Sequence, residues 1–325
     1  MIPMNRKTFL KLMTVGAIAP LMSKCTTQQK KTEYLYWKRI NLNIGLEKQV
    51  RIVHVSDTHI CYADNREDEL KRKLAYQREL AFCGRELGVD GPIMRNLYEA
   101  IDYANSVDAL VIHTGDLIDF TSEINFELGR KALARCNNYI MSVGNHEFSQ
   151  YIYMKQVIED DAYKAESAPD VEKMVGHNID FASKIFNGIN VITVDNNYYR
   201  FTENALEKLQ AEVAKGLPII IGFHMPIYTP EFFEYGMGAM GNQCSWLVDV
   251  PDDKLAMYKN EQKRKEQAPD KATKEFVKYM KSQPLIKAVL CGHFHSAMDS
   301  ILFGDVRQYC VGATNRYLAQ EFIIN

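Results

Sequence analysis

The sequence predicts a layered α/β fold with helices outside a central sheet. Two observations carry this. Short β-branched runs ending in polar, glycine-containing turns alternate with amphipathic stretches of helical period, and near the C terminus that alternation gives way to strands with no helix between them. The first pattern needs a sheet covered by helices. The second makes part of the sheet mixed or antiparallel.

Buried strands are predicted at 50–56, 109–114, 139–143, 191–194, 218–223 and 286–290, each a short apolar run bounded by turn residues. Between the first two lies a helix over 92–105: Ile93, Leu97, Ala100, Ile101 and Ala104 share one face, behind Pro92 in the first turn. Thr202 can cap a second helix that buries Leu206, Leu209 and Val213 before Gly216 stops it. The tail reads as strands at 298–303, 306–311 and 322–324, the first two joined by a hairpin turn at Gly304-Asp305.

Two stretches read as insertions into this frame. Residues 64–88 form a charged helix rich in Arg, Glu and Leu, and residues 229–283 run from an aromatic, glycine-containing start into a Lys/Glu-rich helix. The charged portions are expected to be solvated surface helices. Phe232, Phe233, Tyr235 and Trp246, interleaved with Gly236, Gly238 and Gly241, are expected to wall a substrate site. A single domain is therefore expected over 33–325, with insertions near 64–88 and 229–283.

Residues 1–30 differ from the rest. Arg6, Lys7 and Lys11 precede a short, mildly apolar run to Met22 interrupted by Pro20, which has the shape of an export signal and is too short to span a membrane. The run Asn5-Arg6-Lys7-Thr8-Phe9-Leu10-Lys11 resembles a twin-arginine motif with Lys7 in the second place, and Leu21-Met22-Ser23-Lys24-Cys25 loosely resembles a lipoprotein box. The expectation is an exported protein, periplasmic or anchored to the membrane through a lipidated Cys25.

With 46% hydrophobic and 25% charged residues among 325, the chain can bury a full core. The balance of 39 basic and 41 acidic residues leaves a net charge of -2, so no overall field draws it to nucleic acid, and Glu261 to Lys265 mixes its charges. Cys61, Cys83, Cys136, Cys244, Cys291 and Cys310 lack the dense spacing of a disulfide scaffold and are read as mostly buried thiols.

The chemistry lies at the strand ends. The first predicted strand runs into Asp57-Thr58-His59, the second into Gly115-Asp116-Leu117-Ile118-Asp119, the third into Gly144-Asn145-His146-Glu147, a later one into His224 and the next into Gly292-His293-Phe294-His295. In an open α/β sheet, ligands bind beyond the carboxyl ends of the strands, so these segments converge on one rim. That gathers Asp57, His59, Asp116, Asn145, His224, His293 and His295 as oxygen and nitrogen donors. The mixture suits two borderline divalent or trivalent ions, Mn, Fe or Zn, better than calcium. A carboxylate can bridge two ions where a histidine cannot, which makes Asp116 the bridging candidate. His54 and His113 fall inside strands and read as core or supporting groups, and Glu147 as a supporting group.

The order Asp-x-His, Gly-Asp-x-x-Asp, Gly-Asn-His-Glu, His, Gly-His-x-His resembles that of the calcineurin-like metallophosphoesterases across residues 50–296. The resemblance implies a layered α-β-β-α sandwich with mixed sheets and outer helices. It implies that Asp57, His59 and His295 hold one metal ion, that Asn145, His224 and His293 hold the other, and that Asp116 bridges them. It further implies that His146 stands near the leaving group without binding metal, with Asp119 orienting it. The expected activity is metal-dependent hydrolysis of a small phosphorylated substrate by a bridging hydroxide, with His146 protonating the leaving alkoxide.

Departures within the family narrow the substrate. Asp119 stands where purple acid phosphatases carry a tyrosine ligand, and Phe120-Thr121 where the protein phosphatases carry Arg-Gly. Monoester and diester both stay open. The alternative from another class is an exported, metal-containing module that binds a phosphorylated ligand without catalysis, which the complete donor set argues against.

Overall fold

The computed structural model describes residues 35–83, 86–150 and 160–325. The expected export segment at 1–30 and Cys25 lie outside the described residues. Two sheets make up the centre. One has five strands, β1 (Tyr36–Leu42), β2 (Val50–Val55), β3 (Leu110–Thr114), β4 (Tyr139–Ser142) and β11 (Leu318–Ile324), in the order β1-β11-β2-β3-β4. The other has six: β5 (Phe181–Phe186), β6 (Ile189–Val194), β7 (Ile219–Gly222), β8 (Ile286–Cys291), β9 (Met298–Phe303) and β10 (Val306–Cys310), in the order β5-β6-β7-β8-β10-β9.

Both sheets are mixed. In the first, β2, β3 and β4 run parallel while β11 is antiparallel to β2; in the second, β6, β7, β8 and β10 run parallel, with β5 and β9 antiparallel at the edges. Val50, Ile52, Leu110, Ile112 and Ile140 of one sheet pack against Ile189, Val191, Ile220, Ala288 and Leu290 of the other, so each sheet covers an inner face of its partner.

Helices cover the outer faces. α1 (Glu69–Cys83), α2 (Pro92–Ser106), α3 (Glu123–Ala134) and α4 (Asp161–Val175) pack over the first sheet, and α5 (Glu203–Val213), α6 (Pro230–Ala239) and α9 (Lys271–Lys281) over the second. The fold is therefore the α-β-β-α sandwich, with two facing sheets where strand alternation by itself reads as one.

Three features depart from the sequence expectation. The edge strands β1 and β5 are half-exposed along their length, so they lack the continuous apolar run that marks a buried strand. The 229–283 stretch is four helices, with α7 (Asp252–Leu255) and α8 (Glu261–Glu266) between α6 and α9, because Asn260 and Asp270 each cap a new N terminus with a side-chain oxygen and Pro251 starts another. Phe232 and Phe233 are buried in the core under the second sheet, so they anchor α6 and do not wall the site.

Candidate metal centre

Each donor segment begins where a strand stops. β2 is followed by Asp57 and His59, β3 by Asp116, β4 by Asn145, β7 by His224, and β8 by His293 and His295. The chain has to turn sharply at these points to aim short side chains inward. Asp57, His59, Asp116, His293 and His295 all have left-handed backbones, at φ 52°, 53°, 56°, 71° and 54°. Such a conformation costs a non-glycine residue about 1–2 kcal/mol, and clusters of it mark functional sites.

Four of the candidate donors close on one point. One atom each from Asp57, His59, Asp116 and His295 lies within 4.8 Å of the others. His295 Nε2 is 3.2 Å from Asp57 Oδ1 and 2.9 Å from His59 Nε2. On the other flank of Asp116, His224 Nε2 is 3.2 Å from its Oδ2, and His293 Nδ1 is 3.2 Å from that same His224 Nε2. The backbone N–H of His146 donates to Asp116 Oδ1 at 3.0 Å, which seats the Asn145 segment against the shared carboxylate. Asn145 Oδ1 is buried without a hydrogen-bond partner among the described residues.

Partners behind the candidate ligands decide which ring nitrogen faces the cluster. His224 Nδ1 donates to the Thr114 carbonyl at 2.7 Å, and His59 Nδ1 contacts Asp119 Oδ1 at 2.7 Å, so both present Nε2. Glu147, fully buried, accepts the backbone N–H of Asp116 at 2.9 Å, Ile118 at 3.1 Å and Gly144 at 2.6 Å, clamping two motifs together. Burial and the neighbouring Asp116 push its carboxyl up to about 7, against those three donors. Gly292 is there because of crowding: a Cβ on it would run into Ser56 Oγ and Asp57 Oδ2. His54 bonds Gln320 and Thr114, and His113 bonds Thr58, which makes both supporting groups inside the core.

Asp119 is more connected than the motif predicts. Its Oδ1 lies 3.2 Å from His146 Nδ1, but that nitrogen makes its shorter bond, 2.9 Å, to the backbone carbonyl of Asp119. Arg78, from the charged insertion, donates from Nε to Asp119 Oδ2 at 2.6 Å and from Nη2 to Oδ1 at 3.0 Å. Sequence reasoning missed Arg78, since a lone arginine in a charged helix carries no spacing signal. Phe82, on the same helix, places its ring 5.4 Å from that of His59. On the opposite side the half-buried Trp246 ring stands 5.5 Å from His293, and Tyr235 5.5 Å from Phe294, so two of the four expected aromatic residues reach the rim.

The electrostatics are those of a site built for cations. Burial opposes ionisation of Asp57, Asp116 and Asp119, yet neighbouring histidines, and Arg78 for Asp119, hold all three well below the usual carboxylate range. Burial lowers His59 to about 4 and His293 to about 3, keeping both neutral. Burial pulls His224 the same way, but Asp116 overrides it and raises His224 to about 10. Anionic carboxylates and neutral imidazoles fit a pair of borderline metal ions, as does the orphaned oxygen of Asn145, while the proton that Asp116 favours on His224 would have to leave before that ring could bind one.

Residues 50–297 match the family model described as calcineurin-like phosphoesterase. The chain belongs to that family. It is a phosphoric ester hydrolase by family, and the family is binuclear and metal-dependent. No curated protein matches it. Among solved structures it is similar to a dimetal phosphatase from Danio rerio, at 12% identity and TM-score 0.41, covering 82% of this chain and 88% of that one. It is also similar to the purple acid phosphatase PPD1 of yellow lupin, at 12% identity and TM-score 0.46, with 85% and 45% covered. A third is a putative 5'-nucleotidase from Staphylococcus aureus, at 11% identity and TM-score 0.43, with 82% and 49% covered. The chain spans about half the length of the last two. Of the expected buried thiols, Cys61, Cys244, Cys291 and Cys310 are buried, while Cys83 and Cys136 are half-buried, and all six are free.

Proposed function

We propose that this calcineurin-like phosphoesterase hydrolyses a small phosphate ester, monoester or diester, with two ions of Mn, Fe or Zn. The observation that carries the reading is the closure of Asp57, His59, Asp116 and His295 into one cluster, with His224 and His293 on the other flank of Asp116. Asp57, His59 and His295 would hold one ion, Asn145, His224 and His293 the other, and Asp116 both. When bound, the ions supply an activated water and neutralise charge on the phosphoryl oxygens.

The protein's own groups do the rest. His146 is half-buried at the rim, and its Nδ1–H is tied to the Asp119 carbonyl. That leaves Nε2, 4.0 Å from Asp116 Oδ2, to hand a proton to the departing alkoxide. Asp116 and the nearby carboxylates favour the protonated ring, raising His146 to about 9 although burial opposes it. No enzyme nucleophile is needed. Trp246 at the rim beside His293 offers a flat apolar surface to the part of the substrate beyond the phosphate.

The test is elemental analysis of purified protein lacking residues 1–30, paired with hydrolysis of nitrophenyl phosphate mono- and diesters with added Mn. About two ions per chain and metal-dependent turnover are expected. Full loading with no turnover on either ester would shift the reading to a binding module. Residues 1–30 support export of the enzyme, and finding it only in the cytosolic fraction with its N terminus unprocessed would overturn that.

A further inference from the structure

Helix α1 is inverted for a surface helix. Such helices ordinarily turn an apolar stripe inward, yet α1 buries Lys71, Ala75, Arg78 and Glu79 and exposes Leu70, Tyr76 and Leu80. Burying charge is costly unless each ion is paired and hydrogen-bonded. Lys71 and Glu79 find partners close by in the chain, in Glu67 and the backbone N–H of Gly88. Arg78 instead reaches out of the insertion to Asp119, gripping one carboxylate oxygen from Nε and the other from Nη2.

That carboxylate stands between two histidines with different tasks. Oδ1 is 2.7 Å from Nδ1 of His59, whose Nε2 faces the candidate metal cluster, and 3.2 Å from Nδ1 of His146, the proposed proton donor, which also bonds the Asp119 backbone carbonyl at 2.9 Å. The two imidazole rings meet edge-on with centroids 4.7 Å apart, so a rotation of Asp119 would disturb both. The Phe82 ring lies over the guanidinium, 4.2 Å from its central carbon, and holds the fork in plane.

We propose that Arg78 is a positioning residue of this centre: its two-point grip fixes the Asp119 carboxylate, and through it the orientation of both His59 and His146. The inference rests on the hydrolase reading above and deepens it. A guanidinium suits the task because its planar fork matches both carboxylate oxygens, whereas a lysine ammonium is a single point charge. The 64–88 insertion is then part of the site, with its ionic face turned inward to supply this contact.

A purely structural Arg78 would only offset the buried charge of Asp119, and the two roles separate by experiment. The unaltered protein, Arg78→Met and Arg78→Lys are compared for melting temperature, for Mn affinity by competition with a chelating dye, and for kcat/KM on nitrophenyl and alkyl phosphate esters. Arg78→Met is expected to bind Mn at least about 10-fold more weakly. It should also lose about 10-fold more activity on the alkyl than on the nitrophenyl ester, because only the poor leaving group depends on His146. Arg78→Lys should restore part of both. An Arg78→Met protein that melts lower yet keeps its Mn affinity and its ester ratio overturns the proposal. Should that variant fail to fold, Arg78→Lys decides alone, with unchanged affinity and ratio counting against positioning. If the unaltered protein binds Mn but cleaves neither ester, the hydrolase reading falls, and the Mn affinities still judge Arg78.

Discussion

His224 Nε2 lies 3.2 Å from Asp116 Oδ2, and this contact couples the proton on one proposed ligand to the charge of the proposed bridging carboxylate. With His224 raised to about 10, the metal-free protein carries that proton through neutral pH. As a proposed ligand His224 must be neutral to hold a metal ion, so loading would expel that proton. Calorimetric titration with Mn at pH 8, in buffers of different ionisation enthalpy, should show release of about one proton per chain, and affinity should rise with pH toward 10. Heats independent of the buffer would mean that His224 is already neutral or is not a ligand.

Replacing Asp116 tests the shared carboxylate. Asp116→Asn keeps the shape and the acceptor for the His146 N–H, but removes the charge that both flanks of the cluster face. The variant should lose at least one ion per chain and fall by about 100-fold or more in kcat/KM. Full metal content with full turnover would refute the bridging role.

His146 is predicted to matter through the leaving group. His146→Ala should reduce turnover of an alkyl ester by about 100-fold or more, and of a nitrophenyl ester far less, with metal content unchanged because His146 is not among the proposed ligands. Equal losses on the two esters would remove the general-acid role.

A fourth prediction concerns stability and pH. His54 and His113 are fully buried, and burial lowers each to about 3 from an ordinary value of 6.5. A depressed folded value contributes stability that is present above 6.5 and is lost as pH falls toward 3, because only the unfolded chain takes up the proton. Each should steepen acid destabilisation by up to about 1.4 kcal/mol per pH unit within that window. Urea midpoints measured from pH 7 to 4 should therefore fall faster for the parent than for His54→Asn. Parallel slopes would show that His54 already binds its proton in the folded state.

The strand-end residues were legible because each candidate donor segment is short, polar and placed directly after an apolar run. Asp57, Asp116, Asn145, His224 and His293 could be gathered from that rule alone, since five strands pointing at one rim leave their next residues little choice of neighbourhood. What could not be read is whatever depends on tertiary partners. β1 has no apolar run, because one edge of it meets solvent and the other meets β11, far away in the chain. The buried face of α1 is ionic, so the usual equation of charge with solvent fails there. Arg78 becomes visible only when Asp119 is seen beside it, and the Asp119 carboxylate in turn lies closer to His59 than to His146. His177, which accepts the backbone N–H of Met141 in β4, lay outside every motif.

β11 lies between β1 and β2, pairing Tyr36 with Leu318 on one side and Val50 with Ile324 on the other. During synthesis, therefore, the first two strands emerge with no direct bond to each other and wait for a segment made more than two hundred residues later. Until it arrives, the Asp57 loop also lacks Thr314, whose hydroxyl accepts the N–H of Ser56 beside Asp57. The chain must be made as far as residue 324 before this sheet can settle, and a shorter product would expose unpaired edges of β1 and β2 to neighbouring chains.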